Sequence, residues 1–140
     1  MLVGLRLENI ALIDSLELVF ERGFTVLTGE TGAGKSILLD ALDALFTGNQ
    51  VNPGLRILRS GSDRGIIEAT FLVNHSVEAW LQDNEFEIEE TEFCISREWR
   101  LKSERLTTRC RINGLVVNRQ QILSLKPLLI DLTVQGQSQL

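Results

Sequence analysis

Residues 29–36 of this chain combine three glycines with a lysine and a serine in an order suited to holding phosphate. They read Gly29-Glu30-Thr31-Gly32-Ala33-Gly34-Lys35-Ser36 and match G-x-x-x-x-G-K-[ST], the Walker A pattern, at every fixed position. The glycines let backbone N–H groups approach phosphate oxygens without a clash from Cβ atoms. Lys35 is expected to pair with the β- and γ-phosphates, and the Ser36 hydroxyl to ligate Mg²⁺. The pattern therefore predicts a nucleoside triphosphate site that uses Mg²⁺.

The segments on either side of this loop predict the elements that position it. Residues 24–28 are β-favouring and predict a buried strand that ends at the loop. Residues 35–45 predict an amphipathic helix whose apolar face consists of Ile37, Leu38, Ala41, Leu42 and Leu45. The partial positive charge at the start of that helix favours a bound anion. A glycine-rich turn before an ordinary helix is the alternative, and it leaves Lys35 and Ser36 unexplained.

Length and composition indicate one globular domain, or part of one. The chain has 140 residues with 44% hydrophobic and 24% charged residues, which is ordinary for a globular protein. No apolar stretch has the length of a membrane span, and residues 1–7 alternate like a strand rather than forming a signal peptide. We therefore expect a cytoplasmic protein without a membrane partner. Cys94 and Cys110 lack metal-ligand spacing and are expected to be reduced and structural.

The remaining segments predict alternating strands and short helices. Strands are expected at 2–7, 16–20, 65–73, 93–97 and 128–134, with a hairpin at 111–117 around Asn113-Gly114. One helix is expected to begin at Ser76 as N-cap next to the single histidine, His75, and another to run from Asn118 to Leu125, where Pro127 ends it. The pattern predicts an α/β fold in which parallel and antiparallel strands are mixed and an antiparallel sheet lies over the nucleotide-binding sheet.

A basic cluster between positions 97 and 111 contrasts with the formal net charge of −5. Its members are Arg97, Arg100, Lys102, Arg105, Arg109 and Arg111, interrupted by Glu98 and Glu104. The acidic net charge gives no support for a nucleic-acid surface. A solvated pair of strands is the favoured interpretation of the cluster, and a contact with DNA is the alternative.

The parts that hydrolyse a nucleotide are not recognisable in these residues. A Walker B strand ends in paired carboxylates, whereas the nearest candidate, residues 128–131, has Asp131 in mid-strand and no second acid. No heptad segment and no conventional general base for water are present in the sequence. The chain is expected to hold nucleotide, and no catalytic residue can be identified in it.

The order of these features resembles the N-terminal head segment of the SMC-like ATPases, and within them the RecN family of DNA repair proteins. The resemblance rests on residues 5–13 and 23–36, and the Gly-Glu-Thr-Gly-Ala-Gly-Lys-Ser form of the loop is typical of that family. Residues 58–61, 68–71, 111–114 and 128–139 follow in the expected order. The resemblance covers essentially the whole chain.

This resemblance implies an ABC-type ATPase head that is split by a long coiled coil. Residues 1–140 would form its N-terminal lobe, and the coiled coil and C-terminal lobe would be absent. Gly29–Ser36 would bind ATP, and a glutamine loop within 135–139 would sense Mg²⁺ and the γ-phosphate through Gln135 or Gln137. The implied partners are the C-terminal half of the head, a second head that closes an ATP sandwich, and DNA. The implied role is recombinational repair of double-strand breaks, in a cytoplasmic protein associated with the nucleoid.

The sequence also departs from the family, and two other functions stay open. RecN proteins usually carry a histidine-rich Gly-Gln-His-x-His-Gln stretch, where this chain has Gly136-Gln137-Ser138-Gln139. Hydrolysis by these residues alone is in doubt because the C-terminal half supplies the catalytic carboxylate. A nucleotide-stabilised interaction module is the first alternative. A small phosphotransferase or GTPase is the second, although neither Asp-x-x-Gly nor Asn-Lys-x-Asp is present.

Overall fold

The computed structural model describes residues 2–20, 32–48, 57–87 and 91–138, and its central element is a six-stranded sheet. The strands are β1 (Leu2–Ile10), β2 (Ile13–Val19), β3 (Arg64–Leu72), β4 (Glu92–Lys102), β5 (Arg105–Ile112) and β6 (Leu115–Val117). Their order across the sheet is β2-β1-β3-β4-β5-β6, and every neighbouring pair is antiparallel. The strand predicted at 24–28 lies outside the described residues.

One face of this sheet is apolar because the strands alternate buried and partly exposed side chains. The register places Leu7 opposite Ile67, and Ala69 opposite Ile95, which is in turn opposite Ile112. All of these residues are buried. We call this the inner face. The opposite, outer face carries the other residues of each strand, and many of them are charged.

Three helices complete the described fold: α1 (Gly32–Thr47), α2 (His75–Asp83) and α3 (Arg119–Ser138). Helix α1 contacts β3, β4 and α3, and α3 also contacts α2. The contact between α2 and α3 includes a hydrogen bond from Trp80 Nε1 to Ser124 Oγ of 2.7 Å. No helix in the described ranges has both the length and the apolar character of a membrane span.

The capping residues of α2 and α3 explain where these helices begin. Ser76 is not the N-cap of α2: that residue is Asn74, whose side chain accepts a hydrogen bond from Val77 N at 2.9 Å. Asparagine is among the strongest N-caps, so it takes the position two residues earlier than predicted. The prediction for Asn118 is confirmed, because Asn118 and Gln121 each accept a hydrogen bond from the other's backbone N–H.

Helix α3 is much longer than the sequence predicted. Pro127 lies inside it rather than ending it, and the segment 128–134 is helical rather than a strand. The buried residues Ile122, Leu125 and Leu129 recur at helical spacing through the proline. Their burial offsets the roughly 3 kcal/mol that a proline costs inside a helix. A short apolar run cannot distinguish strand from helix, which explains the wrong assignment.

The antiparallel strands agree with the prediction from the sequence. The predicted parallel strands do not occur among the described residues. All five strand pairs are antiparallel, so the mixed character of the predicted sheet is not seen in this part of the chain. The predicted hairpin is confirmed: Asn113 and Gly114 both have positive φ, 50° and 85°, as a two-residue turn between β5 and β6 requires.

Candidate nucleotide-binding site

The second half of the Walker A motif forms the beginning of helix α1. The helix starts at Gly32, so the backbone of Gly32, Ala33, Gly34, Lys35 and Ser36 belongs to its first turns. Gly29, Glu30 and Thr31 lie outside the described residues, as do the side chains of residues 32–37. Because α1 extends from Gly32 to Thr47, the predicted helix at 35–45 is confirmed.

The beginning of α1 suits an anion. Its first turn contains no acidic residue, so the partial positive charge at this end is not neutralised from within the helix. The first four backbone N–H groups of any helix have no partner inside it. Unpaired donors of this kind are suited to phosphate oxygens, and the binding of a nucleotide with Mg²⁺ by these residues stays a prediction.

The middle of α1 packs firmly against the inner face of the sheet. Its apolar stripe is buried and consists of Leu38, Ala41, Leu42, Ala44, Leu45 and Phe46. The helix has 16 residues and is therefore about 24 Å long. Burial of this stripe fixes the rotation of the helix about its axis.

Arg97 holds the far end of α1. This side chain leaves β4 on the inner face, and its Nε donates a hydrogen bond of 2.7 Å to the carbonyl oxygen of Leu45. Its Nη2 donates to the carbonyl oxygen of Phe46 at 3.4 Å, and its Nη1 to Thr108 Oγ1 on β5 at 3.2 Å. A guanidinium at the C-terminal end of a helix satisfies free carbonyls and complements the helix dipole. Arg97 thereby ties α1 to two strands at once.

A second contact at the same end comes from Trp99, the next inward-facing residue of β4. Its Nε1 donates to the carbonyl oxygen of Gly48 at 3.3 Å. Gly48 itself has a φ of 77°, and its N–H donates to the Ala44 carbonyl at 2.8 Å, which closes the helix with a left-handed residue. A Cβ at position 48 would lie 3.0 Å from Arg97 Nη1, and this tight contact adds to the preference for glycine that the positive φ creates.

The position of Arg97 corrects one part of the sequence interpretation. The sequence groups Arg97 with solvated basic residues, but its side chain is buried, with 7% of the residue exposed. Burial lowers the pKa of Arg97 from its ordinary value, while the nearby Cys110 acts in the opposite direction. The alternation along β4 is the sequence signal for this burial. Every second residue of the strand faces inward, as Phe93, Ile95 and Trp99 do, and Arg97 occupies the same set of positions.

The two candidate glutamines lie in α3 and not in a loop. The backbone of residues 135–138 is helical, so the segment that was expected to follow a strand as a loop is the last turn of α3. The side chains of Gln135 and Gln137 are not among those described. Because α3 contacts α1, the two elements that carry the predicted ATP ligands are neighbours. The roles of both glutamines stay predictions.

The other members of the basic cluster lie on the outer face of β4 and β5. Glu98 sits among them and is the acid that organises this region: it accepts hydrogen bonds from Arg64 Nε at 2.6 Å and Arg100 Nε at 2.7 Å. Burial alone would raise the pKa of Glu98, but the two arginines outweigh it and hold the pKa below the ordinary value. Glu98 therefore stays ionised well into the acidic range.

Both cysteines are free thiols, as predicted. Cys110 is buried on the inner face beside Arg97, and burial raises its pKa. Burial also raises the pKa of Cys94, to about 12, with help from the neighbouring Glu68 carboxylate. Neither thiol resembles a reactive nucleophile. Within the described part of the chain, no three side chains of His, Cys, Asp or Glu come together as a metal site.

Comparison with known proteins identifies the fold and the family. A family described as AAA domain matches residues 4–132. The DNA repair protein RecN of Synechocystis sp. is 46% identical over 140 residues, which are 99% of this chain and 24% of the relative. RecN of Vibrio cholerae is 39% identical over 139 residues, 98% of this chain and 24% of the relative. RecN of Bacillus subtilis is 33% identical over 142 residues, 100% of this chain and again 24% of the relative. The chain thus spans about a quarter of the length of these relatives.

A solved structure of the recombination mediator protein RecF, described as RecF-ATPrS in the RecFOR pathway, has the same fold. It superposes with a TM-score of 0.55 at 16% identity, over 88% of this chain and 29% of the RecF chain. This likeness, together with the AAA domain match, shows a P-loop fold of the ABC and SMC type. The chain belongs to the AAA domain family and matches the N-terminal part of the RecN DNA repair proteins.

Proposed function

We propose that this chain is the ATP-binding N-terminal lobe of a RecN-type ATPase head. The observation that carries the proposal is the Walker A sequence running directly into helix α1, whose opposite end is fixed to the sheet by Arg97. A phosphate-binding turn needs a defined position before the nucleotide arrives, because binding energy is otherwise lost in ordering it. Packing along α1 and the hydrogen bonds at its end hold the helix that follows this turn, and this supports the proposal.

In this proposal different residues of the chain contact different parts of Mg·ATP. Backbone N–H groups of residues 29–36 would hold the β-phosphate, Lys35 would pair with the β- and γ-phosphates, and Ser36 would ligate Mg²⁺. Gln135 or Gln137 would sense the metal and the γ-phosphate. The bound Mg²⁺ supplies neutralisation of phosphate charge. This chain contributes binding and orientation, and the carboxylate that activates water comes from the other half of the head.

The wider role follows the relatives. RecN proteins are DNA repair proteins, and we extend their role to this chain as recombinational repair of double-strand breaks. The proposed partners are the C-terminal lobe of the head, a second head that closes over two ATP molecules, and DNA. We also propose that the head contains parallel strands, among them a strand at 24–28. They are part of the proposal and not of the described fold, whose strands are all antiparallel.

The experiment that tests the proposal compares nucleotides and metal on the purified chain. We expect it to bind ATP more tightly with Mg²⁺ than in EDTA. Ser36→Ala should abolish this difference and preserve metal-free binding, because only the metal ligand is removed. Binding without any Mg²⁺ dependence would contradict the role of Ser36. Phosphoryl transfer from ATP to a small acceptor would favour the phosphotransferase instead.

One structural observation favours a second candidate, a nucleotide-stabilised interaction module. Among the described strands β6 lies at an edge of the sheet, and it presents Leu115 and Val116, which are 59% and 58% exposed. Exposed apolar residues on an unpaired edge favour association with another chain. Light scattering separates the candidates. A dimer that forms only with ATP supports the ATPase head, and association indifferent to nucleotide supports the interaction module.

A further inference from the structure

Strand β5 is longer than β6, the strand that pairs with it on the side away from β4. β5 (Arg105–Ile112) pairs with β4 along its whole length, but β6 covers only residues 110–112. After Val117 the chain leaves the sheet, because Asn118 caps the beginning of α3. Among the described residues, no strand lies beside residues 105–109 on the side away from β4. We call residues 105–109 the open edge.

The exposure of β5 changes at the point where β6 ends. All five residues of the open edge are exposed, whereas Cys110 and Ile112 are buried. Leu106 in the open edge lies directly opposite Leu101 of β4, and these two leucines are 46% and 38% exposed. They extend the apolar inner face beyond the core. The open edge therefore offers an apolar side chain of another chain a surface to pack against.

The hairpins on both sides of β5 determine where the backbone groups of the open edge point. A two-residue turn places its flanking residues in a hydrogen-bonded pair, and such pairs recur at every second position. Ile112 and Leu115 flank the turn to β6, so Leu106 and Thr108 direct their N–H and C=O groups to that same side. The turn from β4 agrees, because Arg105 flanks it and points toward β4. In the described part of the chain, two N–H donors and two C=O acceptors thus face no strand.

Two arginines of the open edge lack acidic partners on its outer face. Arg105 lies directly opposite Lys102, a like charge, and Arg109 lies directly opposite Glu98. Both carboxylate oxygens of Glu98 accept hydrogen bonds from two other arginines. Among the described residues, neither Arg105 nor Arg109 forms an ion pair. Like charges directly across a strand pair are destabilising, so an anion beside these residues would be stabilising.

A strand added to the open edge would meet different chemistry on its two faces, because successive side chains of a strand point to opposite faces. On the outer face its side chains would lie beside Arg105 and Arg109. On the inner face they would lie beside Leu106 and near Leu101. Acidic residues suit the first set of positions and apolar residues suit the second. A polyanion without apolar groups would pair with the arginines and leave both leucines exposed.

We propose that the open edge binds an extended segment of another protein, in which acidic and apolar residues alternate, as an added strand beside β5. Main-chain hydrogen bonds to Leu106 and Thr108 provide affinity, and the alternating side chains provide specificity. Charge complementarity to Arg105 and Arg109 and the adjacent exposed leucines select this partner. The inference goes beyond the proposed function, and it depends on neither ATP nor DNA.

The test is hydrogen exchange of backbone amides by NMR on the 140-residue chain, with and without a peptide of three alternating glutamate-valine pairs. In the free chain, the amides of Leu106 and Thr108 should exchange fast, and those of Thr107 and Arg109, which face β4, slowly. Saturating peptide should slow exchange at Leu106 and Thr108 about tenfold or more and leave the other two unchanged. A peptide with three glutamates followed by three valines is the matched control. It should bind about tenfold more weakly, because its residues do not alternate.

Variants of the chain test the two kinds of contact separately. Arg105→Gln with Arg109→Gln should weaken binding of the alternating peptide about tenfold, because two exposed ion pairs are lost. Arg119→Gln with Lys126→Gln removes two cations from α3 and should bind like the parent. Leu106→Pro removes an N–H that faces the open edge and spares the bonds to β4, and it should weaken binding about tenfold or more. Circular dichroism checks the fold of each variant.

Four results would overturn the proposal. Equal binding of the alternating and block peptides would show that charge alone explains the contact. Unchanged exchange at Leu106 and Thr108 with saturating peptide would show that no strand is added. Protection of these amides on raising the concentration of the chain alone would identify a second copy as the occupant. Tighter binding of duplex DNA with protection of the same amides would identify a nucleic acid. None of these results affects the nucleotide site, because no step of the test uses ATP.

Discussion

Arg97 on strand β4 donates a hydrogen bond of 2.7 Å to the carbonyl oxygen of Leu45, near the end of the helix that begins with the Walker A residues. Leu45 lies ten residues after Lys35, or about 15 Å along the axis. One buried guanidinium thus connects the antiparallel sheet to the helix that begins with the second half of the Walker A sequence. The position of this helix on the sheet therefore depends on a residue that is distant from the motif in sequence.

Replacement of Arg97 should destabilise the chain. Arg97→Ala removes all three hydrogen bonds and leaves space in the core, so we expect the free energy of unfolding to fall by about 2–4 kcal/mol. Arg97→Lys keeps the charge but not the planar set of donors, and it should lose less. Urea unfolding measures both. Arg109→Ala, an exposed arginine on the neighbouring strand, should change stability by less than about 0.5 kcal/mol. A similar loss for both alanine variants would show that Arg97 has no special role.

Gly65 should not tolerate a methyl group. A Cβ at this position would lie 2.7 Å from the Asn9 carbonyl oxygen and 2.7 Å from Leu58 Cδ2. We expect Gly65→Ala to cost about 1–3 kcal/mol, because the backbone oxygen cannot move away cheaply. Gly4→Ala is the matched control on β1, where the nearest heavy atom would be 3.7 Å away. Equal melting temperatures for the two variants would contradict the close approach at Gly65.

Glu98 should make stability depend on pH in the acidic range. Its pKa is depressed in the folded chain, so its contribution is present above the unfolded-state value of 4.5 and is lost as the pH falls through the folded value. Since its arginine partners are largely exposed, we expect Glu98→Gln to cost about 1 kcal/mol at pH 7. Urea unfolding at pH 7, 5 and 3 should show this difference shrinking below pH 4.5. A difference that stays constant down to pH 3 would refute the assignment.

Cys94 should react slowly with alkylating reagents in the folded chain. Its pKa is raised from 9.0 to about 12 by burial and by Glu68, so at pH 8 the reactive thiolate is about 1000-fold scarcer than in an unperturbed thiol. Mass spectrometry after iodoacetamide treatment should show slow labelling in buffer and fast labelling in urea. Glu68→Gln should accelerate labelling of Cys94 by up to about tenfold and leave Cys110 unchanged. Rapid labelling of the native parent would contradict the raised pKa.

Several features that depend on local chemistry were predicted correctly from the sequence, although the N-cap of α2 was placed at Ser76 instead of Asn74. The helix after the glycine loop, the Asn113-Gly114 turn and the N-cap Asn118 all rest on residues within a few positions of one another, and all three are confirmed. Local rules apply to such elements because the interactions that form them are short-range in the chain.

Features that depend on tertiary packing were not predicted. The apolar run 128–134 is compatible with a strand or a helix, and it becomes helical as the continuation of α3 through Pro127. Arginine is rarely buried, so the sequence favours a surface position for Arg97, and its burial depends mainly on two carbonyl partners 51 and 52 residues away. The alternation of β4 in the sequence places Arg97 on the inward-facing side. The sequence does not show the carbonyl groups of α1 that accept its hydrogen bonds.

The central claim is that residues 29–36 hold ATP, and titration of Mg·ATP into the purified chain tests it most directly. Three proteins should be compared by isothermal titration calorimetry: the parent, Lys35→Ala, and Lys126→Ala as a lysine control on α3. The parent and Lys126→Ala should bind alike. Lys35→Ala should bind roughly tenfold more weakly or worse, since a charge-assisted phosphate contact contributes about 1.5–3 kcal/mol. Equal affinity in all three proteins, or no binding by a folded parent, would contradict the account.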